Sequence, residues 1–218
     1  MRPFILFSLL PIICLASEPA KPSDANVGWK YATERDGVTI YSRPHAGSSL
    51  KEFRATGEIA ATPRAVSEVI EDVDAYPGFM PYMAECRLLK REKDSIVSYQ
   101  RISPKICCDR DLTVRSYKSS WPGIVGIVYS NRWESANEFS PPKKHGVVRV
   151  ELCHGSWLLE PAGAERTRAT YSVYTDTGGL IPAFIANHFS QTGIGEVFAA
   201  VRKQVKEPKY NGQRATGP

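Results

Sequence analysis

Histidine, methionine, metal-ligand spacing and clustered charge are all scarce in this chain. Of its 218 residues, four are His and three are Met, and 28 Lys and Arg against 23 Asp and Glu leave a formal charge of +5. No run of five or more like charges occurs, and basic residues alternate with acids, as in Lys90-Arg91-Glu92-Lys93-Asp94. That pattern argues for a solvated surface and against nucleic acid as a partner. A transient contact with an anionic membrane surface stays open. The histidines His45, His145, His154 and His188 are scattered, and neighbouring Cys153 and His154 point to opposite sides of an extended chain. Asp109 and Asp111 share a face but have no His or Glu at ligand spacing. No G-x-S-x-G or phosphate loop is present. No catalytic residue, metal site or cofactor is therefore assigned. The longest apolar stretch, Pro3 to Leu15, is too short to cross a bilayer as a helix.

What is present is apolar material for one core: 42% hydrophobic and 10% aromatic residues. Met1-Arg2, the apolar stretch and small Ala16 read as a secretory signal peptide over 1–16, with a lipoprotein reading on Cys14 disfavoured by bulky Ile13. Residues 17–28 read as a linker, 29–206 as one domain and 207–218 as a disordered tail. The expected location is periplasmic or secreted. Four cysteines remain after cleavage, Cys86, Cys107, Cys108 and Cys153, and three connectivities are possible. Cys86 with Cys107 or Cys108 is the expected bridge, since both could lie at one end of neighbouring strands.

Val38–Tyr41 and Leu50–Ile59 carry strand patterns. Thr62-Pro63 opens a helix whose face is Val66, Val69, Ile70 and Val73. Strand signals follow at 86–91, 95–102, 111–119, 126–133, 147–160 and 167–175, joined by short connections that favour antiparallel pairing. The closing element is a long helix with an apolar stripe of Ile181, Phe184, Ile185, His188 and Phe189, continued by Ile194, Phe198, Val201 and Val205. A sheet of that size curls, and its concave face needs a cover. The fold expected is α+β: a curved, largely antiparallel β-sheet wrapped around a long C-terminal α-helix.

Four segments in order resemble the START lipid-transfer domain family, within the helix-grip superfamily. They are Asp176, Gly179, Ile181, Pro182, Ile185 and Asn187 (D-x-x-G-x-[IL]-P-x-x-[IL]-x-N); Arg110, Asp111 and Arg115, near R-D-[FY]-V-x-x-R; Val148, Arg149 and Glu151 followed by Gly155, Trp157 and Pro161; and Trp29 to Pro44. The resemblance runs from about Trp29 to Val205. It implies a hydrophobic cavity between sheet and helix, and an arginine at Arg115 facing the lipid and paired with an acid on the next strand. The expected next strand, Ile96 to Arg101, has no acid there, so Asp111, Tyr99, Glu151 or bound water must serve.

The expected lipid-binding residues are Arg115 and Thr113, with Tyr99, Tyr129, Trp133, Trp157 and Tyr171 as the wall. Phe184, His188 and Phe189 form the roof. Gly193 and Gly195, which cost a helix roughly 1 kcal/mol each relative to alanine, are expected to let the lid flex. Lys143 and Lys144 are expected in a mobile loop beside the mouth. The function implied is lipid carriage or sensing by a monomer, without catalysis. A cyclase- or hydrolase-like enzyme of the same superfamily, or a protein-interaction module of the cell envelope, are the alternatives.

Overall fold

The computed structural model describes residues 28–104, 108–179 and 181–211. The signal-peptide reading and most of the linker therefore lie outside the described residues, as does Cys107. Ten strands form one sheet: β1 Lys30–Arg35, β2 Val38–Pro44, β3 Lys51–Ile59, β4 Met83–Arg91, β5 Ser95–Ile102, β6 Arg110–Pro122, β7 Ile127–Ser135, β8 Val148–Arg149, β9 Leu152–Pro161 and β10 Thr167–Asp176. Their order is β1-β2-β3-β10-β9-β7-β6-β5-β4, every neighbour antiparallel, with β8 added in parallel to β6. Helices α1 Pro63–Glu71 and α2 Tyr76–Phe79 connect β3 to β4, and α3 Ala183–Gln204 closes the described fold.

Period-two alternation gives the sheet two unlike faces. The inner face, turned toward α1 and α3, carries Phe53, Ala55 and Ile59 of β3, Ala169 of β10, and Trp157 and Leu159 of β9. Helix α1 starts where Thr62 Oγ1 accepts a hydrogen bond from the Ala65 amide at 3.2 Å, with Pro63 in the first turn. Its buried Val66, Val69 and Ile70 meet Phe198, Val201 and Val205 of α3 in one core. A smaller inner-face cluster, Leu112, Val114, Val150 and Cys153, is linked to the first through Trp133.

Four features differ from the sequence reading. Strand β1 was not anticipated: Lys30–Arg35 is a largely exposed edge with no apolar run to mark it. The segment expected as one strand over 147–160 is two, because Arg149 turns toward Asp111 and the chain crosses before β9 begins. The expected disordered tail is ordered as far as Asn211: Tyr210 buries its ring in the core, and its hydroxyl donates to Asp72 at 2.7 Å. Finally, Cys86, Cys108 and Cys153 are free thiols. Cys86 is buried in mid-strand, beside Gln100 in the ladder, whereas Cys108 is exposed beyond the end of β5, so the expected bridge to Cys108 does not form.

Candidate functional site

The inner face between the two clusters holds a row of aromatic side chains. Ring centroids lie 5.6 Å apart for Trp133 and Tyr171, 4.7 Å for Trp157 and Tyr171, and 5.1 Å for Trp157 and Phe198. Trp157 and Phe198 are fully packed, but Trp133, Tyr171 and Val173 keep part of their surface accessible. Trp133 lies so close over Gly155 that a Cβ there would stand 2.3 Å from its ring and 2.4 Å from the Ser172 carbonyl oxygen. The glycine of the Gly155–Trp157 motif is thus the seat of the indole. Burial pushes the hydroxyls of Tyr76 and Tyr171 far above the ordinary tyrosine value, although both rings retain accessible surface. Burial likewise pushes the Cys86 thiol up to about 12 and raises that of Cys153.

A groove of about 640 Å³ opens beside this face, between α2 with the start of β4 on one side and the middle of α3 on the other. Phe79 and Met80 belong both to its wall and to the packing around the core. A separate recess of about 440 Å³ lies across the outer face, where Trp29 is sandwiched between Arg43 and Arg54 at 4.5 Å each. Glu52, Arg132, Glu134 and His154 also line it, together with Phe53, Trp133 and Val173.

Among the expected ligand contacts, Tyr129, Trp133, Trp157 and Tyr171 stand on the inner face. Tyr99, Thr113 and Arg115 do not. In the ladder Arg115 is opposite Glu134 and Ser116 opposite Trp133, so the arginine points outward and Ser116 occupies the inner position. The guanidinium of Arg115 lies 5.2 Å from the Phe139 ring, and its buried Nε has no hydrogen-bond partner among the described residues. Asp111 is already engaged. It accepts hydrogen bonds from Arg149 Nε (2.7 Å) and Nη2 (2.9 Å) and from the Tyr99 hydroxyl (3.1 Å). Thr113 Oγ1 is 2.7 Å from Ser140 Oγ. The connection between β7 and β8 therefore covers the outer face of β5 and β6, and burial with the Asp111 charge pushes Tyr99 up to about 12. Lys143 and Lys144 belong to that cover, paired with Glu151 (3.1 Å) and Glu85 (3.6 Å), and not to a mouth on the inner side.

The roof also differs. At about 100° per residue, Asn187 falls in line with Ile194 and Phe198, whereas Ile185 and Phe189 fall on the far side and His188 on the flank. Asn187 pins the helix to the β2–β3 loop, accepting from the Lys51 amide at 2.9 Å and donating to the Ser49 carbonyl at 3.3 Å. Phe184 is 75% and Phe189 41% exposed, and His188 is exposed as well. These three are not turned toward the sheet. Gly193 and Gly195 lie inside an unbroken helix, and a Cβ at either would meet nothing within 4 Å. Residues that the sequence did not point to include Tyr76 and Val173 on the inner side and Tyr82 and Glu196 on the groove. Cross-strand register alone would have found Val173, opposite Phe53.

This curved antiparallel sheet with its helix is the helix-grip architecture. A family model described as "Polyketide cyclase / dehydrase and lipid transport" matches residues 59–202, and the chain belongs to that family, as a START-type member. It is 32% identical to an uncharacterized protein of Pseudomonas aeruginosa over 74% of this chain and 78% of that one. It is 25% identical to the phosphatidylcholine transfer protein of Mus musculus over 82% and 84% of the two chains. Among solved structures it resembles a STAR-related lipid transfer protein of Xanthomonas axonopodis, with TM-score 0.73 and 27% identity over 83% of this chain and 99% of that one.

Proposed function

We propose that this protein binds a lipid-class molecule between the inner face of the sheet and α3, and carries or presents it without chemical change outside the cytoplasm. The observation that carries this reading is the row of Trp133, Tyr171 and Val173, apolar side chains that pack against the core between sheet and helix yet stay only partly buried. Each CH₂ buried there contributes roughly 0.8 kcal/mol, so an acyl chain or fused ring system needs few polar contacts. A non-catalytic role is supported by the raised pKa values of Cys86, Cys153, Tyr76 and Tyr171, which hold these groups protonated and poorly nucleophilic near neutrality. The similarity to named lipid-transfer proteins supports the ligand class.

Exchange requires a membrane contact, and the exposed apolar side chains suit it better than the lysines do. Phe184 and Phe189 project from α3, and Trp121, Ile124, Val125 and Ile127 project from the β6–β7 hairpin. The deciding experiment is native mass spectrometry, with lipid extraction, of the exported protein purified without detergent. A stoichiometric hydrophobic adduct is expected. An apo mass together with no uptake of lipid from vesicles defeats the reading.

A further inference from the structure

The recess on the outer face lies on the other side of the sheet from Trp157 and Tyr171, and strand register defines its floor. Residues directly paired across antiparallel strands share a face. Arg54 on β3 pairs with Ser172 on β10, Ser172 with Ser156 on β9, and Ser156 with Arg132 on β7. At about 4.8 Å between strands, the two arginine backbones stand roughly 14 Å apart, with two short hydroxyl side chains between them. His154 lies in the next cross-strand row, paired with Tyr174 and Glu134. All of these residues line the recess of about 440 Å³.

Charge on the described lining is unbalanced, with Arg43, Arg54 and Arg132 against Glu52 and Glu134. Glu52 is already committed to Arg43 at 2.6 Å and to His45 at 2.7 Å. Burial works to raise its pKa, but the hydrogen bonds from His45 and Arg43 outweigh it and keep the carboxyl below its ordinary range. Glu134 accepts from the Tyr117 hydroxyl at 2.8 Å. Arg132 is exposed, rests 5.4 Å from the Tyr117 ring and makes no ion pair among the described residues. At the other end of the serine row, burial and the neighbouring Arg43 charge both lower the Arg54 pKa, opposed in part by Glu52. Positive charge is thus crowded at one end of the row and lacks a counter-charge at the other.

We infer that this recess binds a phosphate group carried on an organic molecule, with Arg54 and Arg132 at its two ends and Ser156, Ser172 and His154 as hydrogen-bond donors. Guanidinium forks and hydroxyls match phosphate oxygens, and an oxyanion relieves a like-charge crowding that a cation would worsen. The volume exceeds that of a bare phosphate, which leaves space for its substituent. The phosphate belongs either to a soluble monoester or to a lipid head group at a membrane surface. In both cases the site is separate from the inner face, so the protein has two ligand faces divided by the thickness of one sheet.

The test titrates the full chain calorimetrically with phenyl phosphate and with phenol as the neutral control. Co-sedimentation with phosphatidylcholine vesicles, with and without phosphatidate, distinguishes the two sources. Native protein is compared with Arg132→Gln, at an exposed position, and with Ser172→Val, which fills the floor with a side chain suited to a strand. Thermal melts confirm that both variants are folded. Phenyl phosphate is expected to bind the native protein and to bind each variant at least tenfold more weakly, while phenol binds none of them. Binding only to phosphatidate vesicles, lost in both variants, assigns the phosphate to a lipid head group. Binding to neither probe, or binding unchanged in both variants, overturns the inference. Lipid uptake on the inner face is expected to persist in both variants, so loss of this site leaves the lipid reading intact.

Discussion

Asp111 and Arg149 come from two different sequence motifs, and the fold joins them into one buried pair, with side chains 1% and 6% exposed. Burial works to raise the Asp111 pKa, but the Arg149 hydrogen bonds and charge outweigh it and hold the carboxyl below its ordinary range. A depressed carboxyl contributes stability above the unfolded-state value near 3.9 and loses it as pH falls through the folded-state value. Arg149→Met removes the partner and leaves an uncompensated buried charge, a loss of about 3–5 kcal/mol at neutral pH. In that variant only the Tyr99 hydrogen bond and the Lys144 charge still oppose burial, the carboxyl pKa rises, and stability is then lost as pH rises. Urea unfolding at about pH 3 and about pH 7 should therefore show a deficit much larger at the higher pH. A deficit equal at both values would remove Asp111 as its cause. At this scale the sequence was only half legible. The alternation of Asp111, Thr113 and Arg115 against Leu112 and Val114 was readable as period two, but which face turned inward was not. One residue of register separates Arg115 from Ser116, and only the pairing of Ser116 with Trp133 decides it.

The same ambiguity of face governs α3. Its two apolar stripes read as one continuous band because spacing of three and four persists along the sequence, yet an α-helix turns about 100° per residue and the two halves drift out of phase. The C-terminal half is anchored by Phe198 and Val201, each 0% exposed, and by Arg202, whose Nε donates to the Glu58 carbonyl at 2.9 Å. In the N-terminal half, Ala183–Gly193, the described contacts are fewer: Asn187 pins it, and Ala186 is its buried residue. A helix tied firmly at one end and lightly at the other has the build of a hinged cover. Because a Cβ at Gly193 or Gly195 has free space, alanine there should raise stability by roughly 1 kcal/mol each through helix propensity alone. The double variant is expected to melt higher and to take up lipid from vesicles several-fold more slowly. A higher melting point with unchanged uptake would separate the glycines from gating. The strand pattern was more legible than the helix faces: β5 was read to its end residues, and of the α1 core face Val66, Val69 and Ile70 were read, while Ala65 was missed and Val73 falls beyond the helix. Both are buried elements in which packing and propensity point the same way.

Across the described residues, two groups of exposed apolar side chains stand out from the scattered Tyr31, Tyr82, Leu89 and Leu152. One is Phe184 and Phe189 on α3, whose Asn187 is tied to the β2–β3 loop. The other is the β6–β7 hairpin, where Ser119 to Ser130 contains no charged residue and Ile124, Val125 and Ile127 are 105%, 75% and 52% exposed. In sequence only its flanks, 111–119 and 126–133, read as strand, because β-branched residues between turn signals look alike whether they face a core or water. Its shape says more: aliphatic side chains at a projecting tip with Trp121 just below follow the order of a lipid interface, where tryptophan sits at head-group depth. Ile124→Asp with Val125→Asp is expected to abolish most flotation with liposomes while leaving the melting point nearly unchanged, since fully exposed sites contribute little to folding. Lys143→Glu with Lys144→Glu, whose ammonium groups are already engaged by Glu151 and Glu85, should lower flotation far less. The reverse ranking would place the membrane contact on the β7–β8 connection and make the hairpin a site for some other partner. The comparison also separates the two forces. Insertion by the hairpin should persist at high salt, whereas attraction through lysines should fade as the Debye length shrinks to about 3 Å near 1 M.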